Sequence, residues 1–382
     1  MESIYLDHAA TTPVAPEVWE AMRKASEDAF GNPSSIHSYG RKARKLLDEA
    51  RCVIAQSIGA KEKEIIFTSG GTEADNIAVI GTALKNKSRG NHIITTAAEH
   101  HAVLHAVEYL ESKGFEVTYL PVKEDGKVRI EDLKKALREE TTLVSIMFAN
   151  NETGVLQPIQ EIGSLLKDHA CYFHTDAVQA FGTVEMDVRN LGVDLLSVSG
   201  HKISGPKGTG FLYAGENVDF EPISYGGEQE RKRRAGTENT IGIAGLAKAI
   251  QLSSAERQER SSKYMACKHA FLDELEKAEL QFQINGNLED LIASTVNISF
   301  NGANVEQLLM NFDLSGIAAA SGSACTAGSH EPSHVLVAMY GKDDARTMNS
   351  IRFSFGPLNT VDQSVEAAAQ VVKIVKRLVK RR

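Results

Sequence analysis

Cysteine is scarce in this chain: four residues in 382, Cys52, Cys171, Cys267 and Cys325, stand far apart and none has Cys-x-x-Cys spacing. Neither a zinc site nor a disulfide framework is suggested by that pattern. No uninterrupted apolar run is long enough to cross a bilayer, so no membrane association is expected. The start, Met1-Glu2-Ser3-Ile4, lacks the basic and apolar blocks of a secretory signal, which makes a cytoplasmic address the expectation. Positive charge is in deficit as well. Lys and Arg number 42 against 50 Asp and Glu, a net charge of -8, whereas a direct nucleic-acid binder needs a basic field to displace counterions. Two basic runs stand against that average. Arg231-Lys232-Arg233-Arg234 reads as a loop, and Lys376-Arg377 with Lys380-Arg381-Arg382 closes the last helix, where cations suit the helix C-terminus. The remainder is an ordinary globular composition, long enough for a large core and two domains.

The chemistry centres on the stretch from Ser197 to Gly210, Ser-Val-Ser-Gly-His-Lys-Ile-Ser-Gly-Pro-Lys-Gly-Thr-Gly. It follows the apolar strand-like run Asp194 to Val198 and sets His201 and Lys202 among glycines that let other groups approach. A lysine on a turn at a strand end can be partly desolvated, which favours the free amine that forms a Schiff base. Glycine-rich turns also cradle phosphates, but Gly205-Pro206-Lys207-Gly208 lacks the Walker spacing. A solvated turn lysine has the same local sequence. The second stretch, Tyr172 to Gln179, is another strand that runs into a carboxylate, Asp176.

With these two stretches in order, the chain resembles the fold type I enzymes of pyridoxal phosphate (PLP), and among them the cysteine desulfurases of the NifS/IscS family. The resemblance runs from Tyr5-Leu6-Asp7-His8-Ala9-Ala10-Thr11-Thr12 to Ile351-Arg352-Phe353-Ser354. It implies an α/β fold, a mainly parallel sheet flanked by helices, with a smaller α/β C-terminal domain. Residues 1–15 would pack with the small domain, 16–255 would form the large PLP-binding domain, and 256–382 the small domain with the catalytic cysteine loop.

The order of elements agrees with that fold. Pro16 to Phe30 reads as a helix with Trp19, Met22 and Phe30 towards a core, and Tyr39 to Ile58 as a second helix after a loop that holds His37. Glu64 to Thr68 is a strand, and Ser69-Gly70-Gly71-Thr72 opens a helix whose free N–H groups suit a phosphate. A strand at Asn91 to Thr96, a helix from about His101 to Lys113 and a strand at Phe115 to Pro121 follow. Next come a strand at Leu143 to Ala149, a helix at Ile159 to Asp168 and the Asp176 strand. Such strand–helix alternation implies a parallel sheet with the site at the strand carboxyl ends. Thr240 to Leu280 is largely helical, Ser294 to Phe300 and Ile351 to Phe355 are strands, and Val361, Val365, Ala368, Val372 and Val375 give the last helix a packing face. His101 and His105, four apart, could clamp a metal, but no third ligand is in view and no metal site is expected.

The resemblance assigns roles residue by residue. Gly71, Thr72, Ser199 and His201 belong to the cofactor site, and Gly71 and Thr72 to its phosphate. Asp176 keeps the pyridine nitrogen protonated, Gln179 and Asn151 lie at the ring oxygen, and His100 stacks on the ring and moves protons. Thr237 reaches the phosphate in the neighbouring subunit, which implies a homodimer with shared sites. Arg352 and Asn151 hold the substrate L-cysteine, Arg352 by its carboxylate. Lys202 binds PLP and takes the Cα proton. Cys325, in the small-residue stretch Ser321-Gly322-Ser323-Ala324-Cys325, attacks the substrate sulfur and keeps it as a persulfide, a site that could also ligate an iron–sulfur cluster transiently. The acceptor would be an iron–sulfur scaffold or a tRNA-thiolation enzyme. A selenocysteine lyase or another PLP reaction would use the same Lys202 and Asp176 without a strict need for Cys325.

Overall fold

The computed structural model describes residues 3–322 and 332–380. Twelve short strands form three sheets among the described residues. In chain order they are β1 (Ile4–Tyr5), β2 (Ile65–Thr68), β3 (His92–Thr96), β4 (Glu116–Leu120), β5 (Thr141–Ser145), β6 (Tyr172–Asp176), β7 (Leu195–Ser199), β8 (Gly210–Ala214), β9 (Phe282–Ile284), β10 (Thr295–Phe300), β11 (Ile317–Ala318) and β12 (Ser350–Ser354). The large sheet runs β2-β8-β7-β6-β5-β3-β4. From β7 to β4 all neighbours are parallel; β8 alone runs the opposite way, and β2, antiparallel to β8, points in the same direction as the rest.

Strands β2, β3, β5 and β7 are buried along their whole length, which is why they read as continuous apolar or small-residue runs instead of alternating ones. Helices cover both faces. Phe67, Val144, Ile146, Phe173, Val198 and Phe211 meet the helices Ser38–Ser57 and Thr240–Ala255 on one side, and Ile93, Leu143, Leu195 and Leu212 meet the helix His101–Glu111 on the other. A separate core gathers under the antiparallel sheet β12-β10-β9, from Phe271, Val296, Ile298, Phe312, Phe353 and Val371. The N-terminal segment joins it: Ile4 and Leu6 lie in that core, and β1 pairs with β11.

Several local expectations change. The first helix, Pro16–Asp28, buries Val18 and Ala25 and leaves Trp19 at 58% and Phe30 at 65% exposure, because the face against Gly245 of the neighbouring helix is the one through Met22. The last helix, Val361–Val379, buries Ala367, Ala368, Val371, Ile374 and Val375, while Val361 and Val365 are exposed on its first turns. The ladder of β5 stops at Ser145, although Ile146 and Phe148 still donate to His174 (3.1 Å) and Asp176 (2.8 Å) carbonyls. The span 240–280 is two helices, Thr240–Ala255 and Arg257–Lys277, broken at Glu256.

Candidate active site

Every parallel strand that the sequence pointed to delivers its residue to the same end of the sheet. After β7, a single tight turn Gly200–Lys202 aims Lys202 back over the strand ends. The turn needs close approach: a Cβ on Gly205 would lie 2.7 Å from the Gly200 carbonyl oxygen. The N-terminal segment straps it down, Thr12 donating through Oγ1 to the His201 carbonyl (2.8 Å) and accepting from the Ser204 amide (2.8 Å). Lys202 Nζ donates to the Ala10 carbonyl (3.0 Å) and to that of Ala9. Gln179 Nε2 donates to the same Ala9 oxygen (3.0 Å), and His201 Nδ1 meets Thr11 Oγ1 (3.2 Å).

At the end of β6, Asp176 accepts from the Val178 amide (2.9 Å). Burial raises its pKa, against the lowering pull of that amide and of Lys202. A second carboxylate, Asp75, lies beneath the same cavity, and burial together with the Asp176 charge raises it further. His174 lies under both, held between Ser145 Oγ (2.8 Å) and Ser197 Oγ (3.0 Å). His100 caps the helix His101–Glu111 and accepts the Ala102 amide on Nδ1 (3.1 Å). Burial, and then the Lys202 charge, push its pKa down to about 4, so the ring is neutral with its proton on Nε2. Arg352, on β12, donates to the Asn151 carbonyl (2.7 Å) and to Asp7 Oδ1 (2.8 Å).

These groups surround one cavity of about 390 Å³. Gly71, Thr72, His100, Asn151, Asp176, Gln179, Ser199, His201, Lys202 and Arg352 all line it, as do Ser321 and Gly322. Thr237 is exposed and does not line it. Cys325 lies outside the described residues, three positions beyond Gly322. Sequence reasoning missed Asp75 and Asp7. Asp75 follows Thr72 by three residues on one helix face, a spacing that could have found it; Asp7 meets Arg352 across 345 positions, and no local signal marks that contact.

PLP fits this cavity on three observations. Asp75 Oδ1, Asn151 Oδ1 and Arg352 Nε are buried without a hydrogen-bond partner, which is costly unless a ligand supplies one. The helix that starts at Gly71 approaches so closely that a Cβ there would meet Val178 Cγ2 at 2.7 Å, leaving backbone N–H groups and Thr72 to face an anion. Two buried carboxylates need positive charge, and a protonated ring nitrogen provides it. Ligand atoms of Asp75, His100 and Asp176 lie within 4.8 Å of one another, as in a metal site, but Lys202 on the same wall opposes a divalent cation. The structure does bring a third histidine to His101 and His105: the His334 ring lies 4.6 Å from that of His101. Among the described residues, however, Asp75, His100 and Asp176 form the one set whose ligand atoms gather. His37 caps the helix Ser38–Ser57 through the Gly40 amide (3.2 Å) and does not line the cavity.

The sequence profile of the aminotransferase class-V family matches residues 4–366, and the chain belongs to that family of PLP-dependent, fold type I enzymes. Within it, the chain stands among the cysteine desulfurases of the NifS/IscS kind. It is 58% identical over 99% of its length to the whole of a Bacillus subtilis (strain 168) protein that carries the provisional name cysteine desulfurase IscS 1. It is 47% identical, over 99% of this chain and 94% of the other, to the cysteine desulfurase IscS of Methanosarcina thermophila. A solved NifS-like protein superposes with a TM-score of 0.92 at 34% identity, covering 98% of this chain and 100% of that one.

Proposed function

We propose that this chain is a PLP-dependent cysteine desulfurase that converts L-cysteine to L-alanine and passes the sulfur to its own Cys325. One observation carries the reading: the lysine, the acid pair, the neutral histidine and the arginine line one cavity, and the segment leading to Cys325 forms part of its wall.

Bound there, PLP acts as an electron sink for the charge released at the substrate Cα. Each wall residue then has a task. Gly71, Thr72, Ser199 and His201 hold the phosphate end, and Gln179 and Asn151 the ring oxygen. Asp176, backed by Asp75, holds a proton on the ring nitrogen. Lys202 anchors the cofactor and, once released, takes the Cα proton. Arg352, oriented by Asp7 and by the Asn151 carbonyl, has Nε left to grip the cysteine carboxylate. Neutral His100 covers the ring and, with one donor and one acceptor nitrogen, can relay a proton to the departing group. In the net exchange the cysteine C–S bond breaks and an S–S bond to Cys325 forms. The two thiol protons and the carbon end as one persulfide S–H and the alanine methyl, with no external oxidant or reductant.

A large domain over 16–255 and a small one over 256–382, with 1–15 packed on the latter, is supported by most of the two cores and by Ile4 and Leu6. However, Ile292, Val335, Leu336 and Met339 join the large core, Val155 joins the small one, and Val14 and Ala15 pack on the large core. A homodimer with shared sites accounts for Thr237, which a single chain leaves away from the cavity. The sulfur acceptor is a protein of iron–sulfur assembly or tRNA thiolation, and the setting is cytoplasmic. The test is the PLP-reconstituted protein with L-cysteine and a reductant: one alanine and one sulfide form per cysteine, and Cys325→Ser abolishes sulfide release. Undiminished sulfide from that variant would overturn the reading.

A further inference from the structure

Glu73 stands where an anion site should repel it. It lies in the first turn of the helix Gly71–Asn76, next to Thr72, and faces a hollow of about 490 Å³ that Gly71, Thr72, Ser199, His201 and Lys207 also line. Its carboxylate folds back on the start of the cradle: Oε2 accepts from the Ser69 amide (2.5 Å), two residues ahead of Gly71. A carboxylate charge at this end of the cavity raises the cost of seating a phosphate beside it. Arg234 meets that charge with a two-point grip, Nε donating to Oε1 (2.7 Å) and Nη2 to Oε2 (3.2 Å). Both side chains are largely withdrawn from water, at 18% exposure for Glu73 and 24% for Arg234, so solvent screens the pair only in part.

The guanidinium is itself held in place. Arg234 ends a loop in which Glu230, Arg231 and Lys232 all take left-handed backbone angles (φ 44°, 60° and 66°), a conformation that residues with a Cβ keep only where contacts enforce it. The enforcing contact is the Glu230 carboxylate, whose side chain is 2% exposed. It accepts from Arg51 Nη1 (2.8 Å), Arg51 Nη2 (2.7 Å) and the Phe67 amide (3.0 Å), and Arg51 Nη1 also donates to the Ile65 carbonyl (2.6 Å). Glu230 thereby pins the loop to β2, the strand that runs directly into Ser69 and the cradle. We propose that Arg234 is a positioning residue for the cofactor phosphate: it neutralises Glu73 and holds it on the Ser69 amide, so that the N–H groups from Gly71 onward meet the phosphate without a competing charge. The inference rests on the reading of Gly71 and Thr72 as the phosphate end and deepens it.

The experiment strips the cofactor from wild type, Arg234→Ala, Glu73→Gln and the double variant, then titrates each full-length protein with PLP and with pyridoxal, which lacks the phosphate. The visible band of the bound aldehyde is the readout. Arg234→Ala is expected to raise the dissociation constant for PLP about tenfold or more and to leave that for pyridoxal as in the wild type. Glu73→Gln keeps an acceptor for the Ser69 amide without the charge. It is expected to hold PLP at least as well as wild type and, in the double variant, to restore most of the lost affinity. That rescue separates neutralisation of Glu73 from a merely structural part for Arg234 in shaping the loop that leads to Thr237, which no change at Glu73 would repair. Unchanged PLP affinity in Arg234→Ala overturns the proposal. So does an equal loss for PLP and pyridoxal, or a double variant as weak as Arg234→Ala. Failure of the parent reading looks different: the wild type would bind pyridoxal as tightly as PLP, and Thr72→Val would leave both constants unchanged.

Discussion

The two ends of the large sheet each carry a depression, and the larger one is at the wrong end for chemistry. At the amino ends of β6 and β7, a hollow of about 540 Å³ is lined by Lys167, His169, Cys171, Arg189, Asp194 and Tyr213 among others. At the carboxyl ends the cavity is about 390 Å³. The difference lies in how the polar groups are satisfied. At the amino end Asp194 accepts the Phe173 amide (2.8 Å), His169 accepts the Cys171 amide (3.1 Å), and the Tyr172 hydroxyl donates to the Asn217 carbonyl (3.1 Å). Burial raises the Cys171 thiol to about 12, so it is an inert apolar group. At the carboxyl end, by contrast, Asp75, Asn151 and Arg352 each keep a buried atom unpaired, and two carboxylates share one wall. Between these two hollows, unmet polar demand, not volume, distinguishes the ligand site.

The most severe way to break this comparison is to remove the amine. Lys202→Ala should lower alanine formation by about 10³-fold or more, with loss of the covalent cofactor band, because among the described residues no other lysine lines the cavity. Asp176→Asn comes next. It keeps shape but removes the charge that holds a proton on the ring nitrogen, and a fall in kcat of about a hundredfold is expected. The spectrum of bound PLP should shift in the same variant. Substitutions at the amino end should produce neither signature.

A third test uses pH. The folded pKa of His100 is about 4 against an ordinary value of 6.5. Between those values the unfolded chain binds a proton at His100 that the folded chain does not, so the His100 contribution to stability is flat above pH 6.5 and falls as the pH drops towards 4. The loss attributable to His100 is up to roughly 3 kcal/mol. Asp75 and Asp176, both raised, contribute with the opposite sign, so the difference between wild type and His100→Asn isolates the histidine. Urea midpoints at pH 7 and pH 4.5 should show the wild type losing more than the variant.

What the sequence made legible follows the same division. Lys202 and Asp176 sit at the ends of apolar runs, and a strand end in a parallel sheet is a place that local pattern can identify. Their supports were not readable. Asp7 and Arg352 are brought together only where the N-terminal segment bridges to Ser354 of β12, 345 positions from Asp7 to Arg352, and the Glu152 contacts with Gly322 and Ser333 join positions about half the chain apart. Trp19 and Met22 lie three apart on the first helix and the pattern does not separate them, while Phe30 falls beyond the helix end at Asp28 and lies against Tyr39 instead of a core. Which face is buried depends on the partner helix Thr240–Ala255, whose Gly245 admits Met22. The break at Glu256 carries no glycine or proline, so nothing local announced it.

The smallest expected effect tests the amino-end hollow itself. Lys167 and Arg189 are both exposed there, and two cations beside a groove invite the idea of a phosphate or carboxylate ligand. Exposed cations hold an anion weakly, because water competes for every hydrogen bond and salt screens the charge. A built anion site would instead bring buried donors without partners, and among the described residues that line this hollow there is none. The double variant Lys167→Ala/Arg189→Ala should therefore keep wild-type kcat and cofactor binding, with stability changed by no more than about 0.5 kcal/mol. Inorganic phosphate should raise the melting temperature of wild type and variant alike, through the carboxyl-end cradle at Gly71 and Thr72, in cofactor-free protein. A phosphate response that disappears in the double variant would transfer the ligand site to the other end of the sheet and break the comparison.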